Sequence, residues 1–169
     1  MRKVNRQTVD LSGYPNLVVV YLGMRVNVLT GLKPLIGFGP KIENSVASKP
    51  DGLLLHENLL WGLFPPHAGM RQYWRDFESL EAWTRSEPHR TWWTNYLRDS
   101  GGTAFWHETY SRRGVFEAIY DDLPVPIGMM KFAPVKEARG PMFSARARAG
   151  MKGEVKSPVP EGDLYGTEP

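Results

Sequence analysis

The sequence predicts an α+β domain, a ferredoxin-like split βαβ with an antiparallel sheet. Three observations carry this. A valine-rich, almost continuously apolar run lies at Leu17–Asn27. Two further strand patterns, near Leu53 and Gly69, are separated by the Pro65-Pro66 connection. Helical patterns then precede an alternating stretch, Thr103–Arg112. Taken in order, strand, helix, strand, strand, helix, strand is the split βαβ plan.

Each element has its own reason. Residues 1–16 are polar around a Tyr14-Pro15 turn and read as an N-terminal arm. The first strand, LVVVYLGMRVN, has the β-branched continuity of a central strand buried on both faces. Leu29, Leu32, Leu35, Ile36, Ile42 and Val46 follow at helical spacing, but Pro34 and Gly37–Pro40 predict a broken helix. Lys49–Gly52 is a turn signal, and Leu53–Phe64 and Gly69–Arg75 form the next two strands. In the former, Leu54, His56, Asn58 and Leu60 share one face. Asp76 is a helix N-cap ahead of Phe77, Leu80, Trp83 and Thr84, and Glu87-Pro88 opens a second helix that Gly101-Gly102 closes. Thr103–Arg112 and Val115–Tyr120, joined at Arg113-Gly114, read as a hairpin. On its first strand Phe105, His107 and Thr109 share one face, and Trp106, Glu108 and Tyr110 the other. Residues 125–169, rich in Gly, Pro, Arg and Ala without sustained periodicity, read as a tail, so the domain is expected over 17–124.

Composition excludes several classes. With no cysteine there is no disulfide, thiolate nucleophile or thiolate metal site, which suits a reducing, cytoplasmic setting. The net charge of +3 is interspersed rather than gathered into a stripe, so no nucleic-acid partner is expected. The first apolar run is broken by Arg25 and Lys33, so no membrane span is expected. Gly37 and Gly39 lack the third glycine of a dinucleotide loop, which would fall at Ile42. The His-Glu pairs at 56–57 and 107–108 lack the second histidine of a zinc-protease motif, at Leu60 and Ser111, and no metal site is expected. A sheet covered by helices on one side leaves an aromatic-rich face open, for which a second copy of the sheet is the expected partner.

The stretches YWRDFESLEAWTRSEPHRTWW and WHETYSRRGVFEAIYDDLP resemble a bacterial and fungal monooxygenase-like family of unknown function, within the dimeric α/β-barrel superfamily. That superfamily also holds antibiotic-biosynthesis monooxygenases and aldoxime dehydratases. The resemblance implies a small homodimeric enzyme, acting without metal or flavin on an apolar, aromatic or polyketide-like small molecule. A base would deprotonate a phenol or enol, and the anion would reduce dioxygen in a water-excluding pocket. His107 and His89 are the candidate bases. Arg25 is the candidate charge stabiliser, or bridges to Glu57 or Glu108, and Glu108 is the alternative carboxylate. Trp61, Trp74, Trp93, Trp106 and Tyr110 are candidate walls, and His67 reads as a loop residue. Two alternatives stand beside this: a haem enzyme resembling aldoxime dehydratases, with His107 or His56 as axial ligand, and a non-catalytic small-molecule-binding protein.

Overall fold

The computed structural model describes residues 4–112, 118, 120–121, 125–126, 128–148, 150 and 161–162. Its strands and helices run β1 (Arg6–Val9), β2 (Val18–Val26), α1 (Leu32–Ala47), β3 (Leu53–Gly62), β4 (His67–Trp74), α2 (Phe77–Arg85), α3 (His89–Arg98), β5 (Thr103–Ser111), β6 (Tyr120–Asp121), β7 (Val135–Glu137) and α4 (Ala145–Arg148). They divide into two units, one of residues 16–111 and one of residues 1–15 with 112–169.

The first unit is a ferredoxin-like α+β domain. Its antiparallel sheet has the order β3-β4-β2-β5, with the valine-rich β2 paired on both sides. Register fixes the faces, because Leu22 stands opposite both Met70 and His107. Val18, Val20, Leu22 and Met24 therefore share a face with Met70, Gln72 and Trp74 of β4 and with Phe105, His107 and Thr109 of β5. On β3, His56, Asn58 and Leu60 join that face, opposite Gln72, Met70 and Ala68. Val18, Val20, Trp74 and Leu80 make the buried cluster, with Leu53 and Trp83 packed against it.

α2 begins where Asp76 takes an extended conformation and its carboxylate accepts from the Ser79 backbone N–H at 2.7 Å. The Ser79 and Arg75 hydrogen bonds push the Asp76 carboxyl down to about 2. Asp76→Ala should lower stability by about 1 kcal/mol, a melting shift of about 2–4 °C in a chain of this size. Because the folded carboxyl titrates below its unfolded value, the difference should be full at neutral pH and vanish as pH falls toward 2. A melting curve of the variant that matches wild type at pH 7 would show the cap to be unimportant.

The helix expected to break at Pro34 and Gly37–Pro40 is instead one helix of 16 residues containing Pro40. Proline removes one backbone donor there. Leu35, Phe38 and Ile42 lie along one side of it and line a common cavity. The second strand stops at Gly62 rather than Phe64.

The return strand of the expected hairpin, Val115–Tyr120, lies almost wholly outside the described residues. Among the described residues β5 pairs with β2, and Tyr120–Asp121 pairs with β1. Residues 113–117 and 119 lie outside the described residues. In the second unit β1 is flanked by β6 and β7, so the segments read as arm and tail share one small antiparallel sheet. There Arg112 donates to the carbonyls of Leu11 and Tyr14, at 2.6 and 2.9 Å, and the Tyr14 hydroxyl to that of Phe132 at 2.9 Å. β7 has three residues, too few to leave an alternating pattern in the sequence.

Candidate functional site

Between the helices and their face of the sheet lies a cavity of about 280 Å3. β2 and β4 supply Leu22, Met24 and Met70 to its floor, while α1 contributes Phe38 and Ile42. Aromatic rings close the rest. Trp83 and Trp92 flank His89, with ring centroids 5.0 and 6.2 Å from the imidazole. At another part of the wall Trp93 stacks on Tyr96, 5.7 Å away and 14° from parallel, and meets Phe105 edge-on at 5.2 Å.

His89 is the titratable group set among these rings. Its Nδ1 is buried and has no hydrogen-bond partner among the described residues. Burial pushes the imidazole below its ordinary value, and a hydrogen bond of the ring with the Thr84 backbone exerts a smaller upward pull. Burial therefore keeps this imidazole neutral to lower pH than a solvated one.

A second polar feature, centred on residues that no sequence motif marks, runs along the same sheet face. The Trp74 indole N–H donates to Gln72 Oε1 at 3.1 Å. Gln72 Nε2 stands 3.1 Å from His56 Nδ1, and His56 Nε2 stands 3.3 Å from Asn58 Oδ1. Asn58 Nδ2 then donates to the Glu43 carboxylate, whose Oε1 also lies 3.6 Å from His56 Nε2. Glu43 and Asn58 line the cavity. Gln72 is fully buried. In the sequence His56 and Asn58 share a strand face, but nothing there joins them to Gln72 or Glu43, because an isolated polar residue on an apolar face does not name its partner.

The other candidates are distributed between the two faces. His107 shares the cavity face with Phe105, its ring 6.0 Å from that phenyl, but it is exposed and lies outside the lining. Trp93 lines the cavity, whereas Trp74, read as a wall, is fully buried in the core and packs on Trp83 at 5.4 Å. Trp74 is thereby corrected to a core residue. Its place opposite the first residue of β2, above Leu80, leaves no ring surface for a ligand.

Arg25, Trp61, Trp106, Glu108 and Tyr110 fall on the opposite face. His67, expected in a loop, begins β4 there and accepts a 2.8 Å hydrogen bond at Nε2 from the Trp106 indole. Burial pushes its imidazole down, and Arg25 adds to the effect. The rings fit because Gly23 and Gly69 face one another across the ladder: a Cβ on Gly23 would come within 2.7 Å of Trp106 Nε1, and one on Gly69 within 2.9 Å of Trp61 Nε1. The bridge expected from Arg25 to Glu57 or Glu108 is replaced. Glu57 pairs with Arg71, which also reaches the Tyr21 hydroxyl, and Glu108 accepts from the Tyr110 hydroxyl. Register decides this, since Glu57 stands directly opposite Arg71. Glu108 in turn pushes the Tyr110 phenol up.

The fold and cavity thus define a ferredoxin-like α+β protein with an aromatic-lined cavity between its helices and its sheet. The chain belongs to the monooxygenase af470-like family, whose model matches residues 17–129. Among solved structures it is similar to an aldoxime dehydratase at 21% identity, with 79% of this chain and 39% of that one covered and a TM-score of 0.63. It is also similar to an aldoxime dehydratase co-crystallised with butyraldoxime, at 23% identity, with 86% and 42% covered and a TM-score of 0.64. The chain therefore spans about two fifths of the length of these dehydratases. A third similarity is to SnoaB, a cofactor-independent oxygenase from Streptomyces nogalater, at 12% identity, with 58% and 94% covered and a TM-score of 0.44. No curated protein matches the chain. Among the described residues no helix is long and apolar enough to cross a membrane, and no group of three or more His, Asp or Glu is placed to share a metal ion.

Proposed function

We infer that the protein is a monooxygenase that takes an apolar aromatic or polyketide-like molecule into the cavity between α1, α3 and the sheet, with His89 receiving the proton the substrate loses. The observation that carries this reading is the buried, unpartnered Nδ1 of His89 between Trp83 and Trp92. Membership of a monooxygenase-like family supports the reaction class. The substrate itself supplies the electrons: an aromatic alcohol such as 1-naphthol loses two hydrogens, gains one atom of dioxygen to become the naphthoquinone, and the second oxygen atom leaves as water. Deprotonation raises the electron density of the ring, and the aromatic walls hold it with dioxygen away from solvent. His107, at the exposed end of the Phe105 wall, is placed to act at the rim rather than inside.

A haem would need an axial ligand from His56 or His107. Both His56 nitrogens are engaged, Nδ1 by Gln72 and Nε2 by Asn58, and His107 stands outside the lining. Neither residue fits an axial ligand.

The test is calorimetric binding of 1-naphthol to the full chain, with dioxygen uptake recorded on the same sample. Naphthoquinone formation is expected. Absence of both binding and uptake would overturn the reading.

Assembly is part of the same proposal. Trp61 and Tyr110, on the face away from the cavity, are 45% and 49% exposed. Pairing of that face with its counterpart in a second copy would cover them and give a homodimer. Light scattering at micromolar concentration should give about twice 19.2 kDa, and the monomer mass would overturn the dimer.

A further inference from the structure

The polar chain beside the cavity has a single direction. An indole N–H only donates, so Gln72 must present Oε1 to Trp74 and Nε2 to His56. Gln72 Nε2 is itself a donor, so His56 Nδ1 accepts and the imidazole proton sits on Nε2. That N–H meets Asn58 Oδ1, which turns Asn58 Nδ2 toward Glu43, and a carboxylate only accepts. A donor-only group at one end and an acceptor-only group at the other leave no alternative arrangement of the three groups between them. Hydrogen bonds aligned in this way polarise one another.

The chain starts in the core, at the fully buried Trp74, and ends at a half-exposed carboxylate that lines the cavity. Glu43 Oε1 is occupied by Asn58. Among the described residues that line this mainly apolar cavity, Glu43 alone carries a carboxylate. A carboxylate held in an apolar wall favours a ligand that brings it a hydrogen-bond donor and disfavours one that leaves it desolvated and unmet.

We propose that Glu43 is the specificity-determining acceptor of the cavity, holding the phenolic or enolic O–H of the substrate in the initial complex, before that proton passes to His89, and that Gln72, His56 and Asn58 are positioning residues that aim it. The proposal rests on the cavity being the ligand site and names the substrate class, hydroxylated over O-alkylated aromatics.

The test compares 1-naphthol with 1-methoxynaphthalene by calorimetry on the full chain. Wild type should bind the naphthol at least about tenfold more tightly, the scale of a hydrogen bond to a charged group. Glu43→Gln should weaken naphthol by about tenfold and leave methoxynaphthalene within about twofold. Wild type binding both equally would overturn this proposal and leave the cavity reading standing. Loss of both ligands to the same degree in Glu43→Gln, or of neither, would overturn it as well. Binding of neither by wild type would overturn both readings together. A second readout needs no ligand: nitrogen-15 NMR, with the His56 signals identified by their absence in His56→Gln, should show the Nε2–H tautomer, and an Nδ1–H tautomer would overturn the positioning role.

Discussion

His89→Ala should lower the rate of 1-naphthol oxidation by about a hundred- to ten-thousand-fold, the usual contribution of a positioned general base. The imidazole stands between Trp83 and Trp92, and removing it takes away the proton acceptor while leaving the aromatic walls. The pH dependence gives a sharper test. Burial holds the His89 pKa below the ordinary histidine value of 6.5. The neutral, proton-accepting form therefore persists on the acid side of 6.5, and kcat/KM should stay flat as pH falls to that value and decline only below it. The acid limb should disappear in His89→Ala. The same shift bears on stability: the unfolded chain takes up its proton first, so stability is undiminished above 6.5 and is lost as pH falls through the lower folded value. A variant that retained near wild-type turnover, or a wild-type limb centred above 6.5, would remove His89 from the base role.

Trp74→Ala should cost about 3–5 kcal/mol, the usual loss for truncating a large buried aromatic. Trp74 has no exposed surface, packs with Val18, Val20 and Leu80, and lies 5.4 Å from Trp83. The truncation also leaves Gln72 Oε1 without its donor inside the core, which adds to the cost. Since domains of this size are stable by only about 5–15 kcal/mol, urea denaturation should show most of the stability gone. Trp74→Phe separates the two effects, keeping most of the ring volume while removing the N–H that orients Gln72. Its loss should be smaller, and the His56 tautomer should no longer be unique. A loss under about 1 kcal/mol in the alanine variant would mean that the core relaxes around the gap.

The two variants probe different layers of one face, the packed strand end beneath α2 and the open space beneath α3. β2 is continuous through both, from the buried Val18 to Met24 in the cavity floor. Packing at one end therefore sets the position of the wall at the other.

By itself the sequence determined the elements of the domain and the alternation of its strands. Val18–Val26 is apolar enough that only a central strand accommodates it, Asp76 caps α2 whatever surrounds it, and the pleat separates His107 from Glu108 without reference to any partner. These are consequences of near neighbours along the chain. Tertiary structure alone decided which face carries the cavity, that Trp74 is core while Trp93 is wall, and that Glu57 meets Arg71 instead of Arg25. It also joined Trp74, Gln72, His56, Asn58 and Glu43, drawn from β4, β3 and α1, into one directed chain. The physical reason is that burial and hydrogen-bond partners are properties of register and packing across 15 to 50 residues of chain, and a tryptophan or glutamine reads the same in sequence whether it fills a core, lines a pocket or orients a histidine.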